Sequence, residues 1–191
     1  MYYPMNFIQT CRRLAIALLM LIYLASGAPT LPAQESAPSE YQLKAAFLYN
    51  FGKFVSWPAR DFGSNNAPLV IGVFEDNPFH DDLKNMIAGK NINRHPVVFR
   101  LVAALADAKS CHILFVSASA QKDAANIIGT LHGANVLTVT ENMTHFAQSG
   151  YTVDFVMEES KVRFEINDAA AVQAGLSISS KLMALAKPLE K

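Results

Sequence analysis

Leu69-Val-Ile-Gly-Val-Phe74, running into Glu75-Asp76, is apolar at every position and then turns abruptly polar. Side chains of a strand point alternately to opposite sides, so a run without alternation describes a strand buried on both faces. Three further runs repeat it: Pro96-Val-Val-Phe-Arg-Leu-Val102, His112-Ile-Leu-Phe-Val-Ser117 and Asn135-Val-Leu-Thr-Val-Thr140. Between them lie two helical stretches. Residues 77–88 carry Pro78 in the first turn and stop at Gly89; residues 121–131 follow the cap Ser119 and stop at Gly133. Apolar strands alternating with helices predict an α/β fold, a doubly wound, mainly parallel sheet sandwiched by helices. The last third changes character. Residues 151–157 and 161–166, separated by Glu158-Glu-Ser160, predict a C-terminal antiparallel edge hairpin, with closing helices over 168–174 and 180–186.

Upstream stands Tyr41-Gln-Leu-Lys-Ala-Ala-Phe-Leu-Tyr-Asn-Phe-Gly-Lys-Phe-Val-Ser-Trp-Pro58. Leu43, Ala46, Phe47, Phe51, Phe54 and Val55 share one helical face, Ser39 is positioned to cap the start, and Pro58 cannot continue the helix. Earlier still, Arg12 and Arg13 precede an apolar run over 14–25 and then small residues with Pro29. That order predicts a secretory signal over 1–33, cleaved between 27 and 34, because the apolar run is short for spanning a bilayer. A linker over 34–40 and a single domain over 41–191 follow.

The exported part would hold 14 Lys and Arg against 16 Asp and Glu, near −2. This balance argues against a nucleic acid partner and against an anionic membrane surface. No second hydrophobic run approaches spanning length, so no direct membrane insertion is expected after signal cleavage. Only Cys111 remains after processing; it opens an apolar run and reads as a small buried hydrophobe with no disulfide partner in its own chain.

In doubly wound sheets ligands bind beyond the carboxyl ends of the strands. Here those ends carry Glu75, Asp76, Ser117, Ser119, Thr140 and Asn142, a possible ligand pocket. Phosphate-loop and dinucleotide glycine patterns are absent, as is the G-x-S-x-G elbow. Ser119-Ala-Gln-Lys122 matches S-x-x-K without its companion motifs. His80, His95, His112, His132 and His145 are scattered without metal-ligand spacing. The residues therefore predict no catalytic group, no metal ligand and no cofactor: binding rather than catalysis.

The helix 41–58 resembles the opening of the YfiR-like family of periplasmic proteins. Further likenesses are Ile71-Gly-Val, Cys111-His-Ile-Leu-Phe-Val, Val136-Leu-Thr-Val, Val162-Arg-Phe-Glu-Ile-Asn167 and Ala174-Gly-Leu-Ser-Ile-Ser-Ser-Lys-Leu-Met-Ala-Leu-Ala186. The resemblance implies a non-enzymatic, homodimeric regulator in the periplasm. It would bind the periplasmic sensor domain of a membrane-anchored diguanylate cyclase and repress it, controlling cyclic di-GMP and biofilm formation. It further implies partner contact at Phe164, Glu165, Ile166 and Asn167, where alternation would leave Glu165 outward between a buried Phe164 and Ile166. The competing reading is a periplasmic small-ligand binding module that reports to a receptor or sensor kinase. Some family members carry cysteine pairs; at the position aligned with the partner of Cys111 this chain has Gly72, so disulfide switching is not expected.

Overall fold

A computed structural model describes residues 37–64 and 66–189. The signal expected at 1–33 and the linker up to 36 therefore lie outside the described residues. Helix α1 (Glu40–Phe54) starts on a reciprocal cap. Ser39 Oγ accepts the Gln42 N–H at 3.2 Å, and Gln42 Oε1 accepts the Ser39 N–H at 3.0 Å. There follow β1 (Val55–Ser56), β2 (Leu69–Phe74), α2 (Asp82–Ile87), β3 (Asn91–Ile92), β4 (His95–Val102), β5 (Ile113–Val116), α3 (Ala124–Leu131) and β6 (Leu137–Glu141). The chain continues through α4 (Phe146–Ser149), β7 (Val153–Glu158), β8 (Lys161–Ile166), α5 (Asp168–Gln173), β9 (Ser177–Ile178) and α6 (Ser180–Met183).

Seven strands form one sheet in the order β3-β4-β2-β5-β6-β7-β8. The five from β4 to β7 are parallel, and β3 and β8 are antiparallel at the two edges. The chain winds outward from β2 to β4, then returns across β2 to β5 and proceeds to β6 and β7. The windings part between β2 and β5, where a doubly wound sheet opens a crevice. The expected class and the edge hairpin are both present. β1 and β9 pair apart as a second, two-stranded sheet, which the sequence did not announce.

Three expected helices are clearly shorter than their patterns, the closing one over 180–186 ending at Met183. Residues 77–81 form turns because Asn77 competes for the backbone: its Oδ1 accepts the Phe79 N–H at 3.2 Å and its Nδ2 donates to the His80 carbonyl at 2.8 Å. Residues 118–123 form a 3-10 turn ahead of α3.

Each sheet face has its own core. Ile71, Val73, Phe115, Val139, Phe155 and Phe164 pack with Ala45, Leu48 and Phe51 of α1. Val70, Phe74, Leu114 and Val116 pack with Ala108, Ile127, Leu131 and Tyr151 on the opposite side. The buried face of α1 is displaced from the expected stripe. Lys44, Ala45, Leu48, Phe51 and Gly52 are inside, whereas Leu43 is 37% exposed. A helix this rich in apolar residues offers more than one face, and a buried ion pair described below decides between them.

Gly72 sits on the central strand for want of space. A Cβ there would stand 2.5 Å from Cys111 Sγ, 3.1 Å from Val102 Cγ2 and 3.3 Å from Leu114 Cδ1. Positions 72 and 111 are thus neighbours, and the thiol fills the volume that a side chain at 72 would need. Burial pushes the Cys111 thiol up to about 11, which makes it a poor nucleophile. Gly72→Ala is expected to cost about 1–3 kcal/mol by overpacking. Adding Cys111→Ala should restore most of that loss in urea unfolding; an unrelieved double variant would place the clash elsewhere.

Candidate functional site

At the carboxyl ends of β2, β5 and β6 an open crevice of about 430 Å³ is lined by Tyr41, Asp76, Asn77, Ser117, Ser119 and Glu141, among others. The turn after β5 supplies most of its polar atoms. Ser119 Oγ donates to Asp76 Oδ2 at 2.8 Å and stands 2.8 Å from Ser117 Oγ, a chain that ties the exits of β2 and β5 together. The Ala118 N–H donates to Glu141 Oε1 at 3.2 Å. The wall of the crevice is therefore fixed before any ligand arrives.

Behind it lies a buried charge cluster. Lys44, on the inner face of α1, is 1% exposed. Its Nζ reaches Glu141 Oε2 and Glu40 Oε1, both at 2.5 Å. The Nζ also stands 4.7 Å from the centre of the Tyr41 ring, and the Tyr41 hydroxyl lies 3.3 Å from both Glu141 oxygens. Burial works against the lysine's charge, but its hydrogen bonds to Glu141 and Glu40 outweigh it and raise its pKa. Burial, and next the Glu141 charge, raise the pKa of Tyr41, so its hydroxyl remains a donor. The cluster pins α1 to the end of β6 and sets the floor of the crevice.

The structure gathers only part of the expected pocket. Asp76, Ser117 and Ser119 line the crevice. Thr140 is fully buried behind it, donating to the Val116 carbonyl and accepting from Gln121 Nε2, both at 3.1 Å. Glu75 turns away with φ 55° and is exposed. Asn142 borders a separate cavity on the far side of β7 and β8, together with Asp154 and Glu165. Tyr41 and Lys44 escaped the sequence reading, whereas Glu141 stands in the polar strand exit Thr140-Glu141-Asn142. The visible signal was a lone lysine between Leu43 and Ala45 in a helix otherwise apolar at that level.

The four residues expected at the partner contact are all buried. Phe164 packs on Phe47 and Phe51 with ring centres 5.4 and 5.2 Å apart. Asn167 caps α5, its Oδ1 accepting the Ala170 N–H at 3.1 Å. Ile166 is 5% exposed and Glu165 is 8% exposed. Glu165 does alternate with its neighbours, as expected, but it does not face solvent, because the loop 142–150 covers that side of the sheet. The exposed side chains of the hairpin lie toward its tip: Met157, Glu158, Lys161 and Arg163.

The histidines are not gathered either. His95 and His112 sandwich the Phe62 ring at 3.8 and 4.5 Å, and the Val70 N–H donates to His112 Nδ1 at 3.1 Å. Burial lowers the pKa of His112, against the pull of Asp61, which keeps the imidazole neutral. Among the described residues no group of three or more His, Cys, Asp or Glu is arranged to hold a metal ion, and no helix is long and apolar enough to cross a membrane.

No curated protein matches the chain. One family model, described as YfiR/HmsC-like, matches residues 41–187, from the first turn of α1 to the segment that pairs with β8.

Proposed function

The chain belongs to the YfiR/HmsC-like family, and on that premise we propose that it is a non-enzymatic regulator that acts in the periplasm. In this reading it binds the periplasmic sensor domain of a membrane-anchored diguanylate cyclase and represses the enzyme, as a homodimer. The observation that carries it is the family match over 41–187, which takes in the whole sheet and the hairpin at its edge. The hydroxyls and carboxylates of the crevice are bonded to one another, Ser117 to Ser119 and Ser119 to Asp76.

The contact surface of this reading is the β7–β8 hairpin. Phe164, Glu165, Ile166 and Asn167 hold it from within, and the side chains presented to a partner are Met157, Glu158 and Arg163. Met157 is 42% exposed, beside the Arg163–Glu158 pair at 3.8 Å and the Lys187–Glu158 pair at 2.9 Å. An apolar anchor ringed by charges on a rigid strand pair is the composition of a binding hot spot. Met157→Asp combined with Arg163→Glu should leave the melting temperature almost unchanged. It should weaken capture of the cyclase from detergent-solubilised membranes by about tenfold or more. A folded double variant that still binds at full affinity removes the hairpin from the reading.

The open crevice at the switch point favours one alternative, a small-ligand module reporting to a receptor or sensor kinase. Native mass spectrometry of protein purified from the cell envelope distinguishes the two: a retained small molecule supports the module, a co-purifying membrane protein the repressor.

A further inference from the structure

We propose that Asp154, set opposite Glu165 beneath the loop 142–150, is a proton-operated latch. Its protonated form keeps the loop down over the β7–β8 face, and loss of that proton admits water and lifts the loop.

The geometry starts from register. Asp154 and Glu165 are direct partners across the antiparallel β7–β8 ladder, so their side chains leave the same face about 5 Å apart. They are 2% and 8% exposed. Both line a cavity of about 370 Å³ roofed by Asn142, Met143, His145 and Phe146. Two carboxylates this close and this buried do not both ionise without cost. Burial, and then the charges of Glu165 and Glu141, push Asp154 up to about 7, although the Met143 N–H favours the carboxylate.

Several elements bring charged groups near the pair. His145 comes from the roof and lines the same cavity. Glu141 at the end of β6 is engaged by Lys44 of α1. Lys187 pairs through its backbone with Glu165, and its ammonium bonds Glu158 at 2.9 Å. Arg163 stands at the hairpin tip, 3.8 Å from Glu158.

The roof is built to move. Asn142 and His145 take left-handed backbone conformations, φ 50° and 56°, which side-chain-bearing residues adopt at a cost. Its ties to the sheet include the Met143 N–H to the Asp154 carboxylate at 3.1 and 3.3 Å, the Asn142 N–H to the Phe155 carbonyl at 2.8 Å, and Asn167 Nδ2 to the Ala147 carbonyl at 3.1 Å. Phe146 anchors the segment in the core, and around that anchor it is short and irregular, the kind of element that opens before a sheet does.

The sign follows from linkage. The folded-state pKa of Asp154 lies above its unfolded value, so the folded protein binds more protons. The stability this contributes is complete below the unfolded value, declines as pH rises, and is gone above about 7. Only the consequence for regulation rests on the hairpin reading above: a contact made there would then respond to the pH outside the cytoplasmic membrane.

Amide hydrogen exchange on the purified chain, without any partner, tests the latch. Between about pH 6 and about pH 8, corrected for intrinsic rates, protection over 142–150 should fall about tenfold more than protection over β2 and β5. Asp154→Asn reproduces the protonated group, since its amide accepts from Met143 and donates toward Glu165, and should keep protection high at both values. If that variant does not fold, Glu165→Gln serves, because removing the neighbouring charge lowers the Asp154 pKa and should shift the loss of protection to lower pH. Equal loss in loop and sheet overturns the latch, as does a pH response abolished by His145→Gln but not by Asp154→Asn. If the loop responds while partner capture is the same at both pH values, the latch stands and its link to the hairpin contact fails.

Discussion

Glu141→Ala is expected to lower stability by about 3–5 kcal/mol, because it leaves a buried lysine without its main counter-ion. Lys44 is 1% exposed, and its other carboxylate, Glu40, sits at the rim with its side chain 40% exposed. The variant also strands the Ala118 N–H and the Tyr41 hydroxyl, both of which lie against the Glu141 carboxylate. For a chain of this size the melting temperature should drop by about 10 °C or more. The control is the paired change Lys44→Met with Glu141→Leu, which removes both charges. Buried pairs exchanged for apolar residues of similar volume are often neutral, so the double variant should recover most of the loss. A single variant that costs under about 1 kcal/mol would mean that the lysine is solvated, and the packing of α1 would have to be redrawn.

Phe51→Ala should cost about 3–5 kcal/mol, the range for removing a buried aromatic ring. The side chain is fully buried and meets Phe47, Phe155 and Phe164 at 6.2, 5.7 and 5.2 Å between ring centres. These contacts join α1 to both strands of the edge hairpin, so the variant should also loosen β7 and β8 in hydrogen exchange. Leu43→Ala, on the same helix, is the comparison. With Leu43 37% exposed, it should stay within about 0.5 kcal/mol of the parent in denaturant unfolding. If Leu43→Ala costs as much as Phe51→Ala, the helix buries the stripe 43, 46, 47, 51, 54 and 55 after all.

That comparison marks where periodicity stops being informative. Residues 41–55 are apolar at Leu43, Ala45, Ala46, Phe47, Leu48, Phe51, Phe54 and Val55. A hydrophobic pattern that wide fixes a helix without fixing its rotation. The rotation is settled by one ion pair between residues 97 positions apart, a distance over which no local rule operates. The candidate site shows the same limit. The exits of β2 and β5 are legible because a buried strand must end in polar residues, and Asp76, Ser117 and Ser119 do meet. Thr140 and Asn142 are equally polar and equally close to a strand end, yet one is buried behind the crevice and the other opens the loop 142–150 over a separate cavity.

The sequence by itself determined the class of the fold. Uninterrupted apolar runs require two covered faces, and helices between them require parallel crossovers. It also determined the hairpin, because two strand patterns joined by three polar residues have nowhere else to go. Only the tertiary structure decided that Glu165 is covered. Alternation gives a side chain its face of the sheet, but whether that face is wet depends on what is laid over it. Here a short helix and its flanking loop, folded from residues 142–150, close that side. Gly72 is the same lesson at the scale of one atom: its sequence context reads as an ordinary buried strand, and only the position of the Cys111 sulfur explains why nothing larger fits.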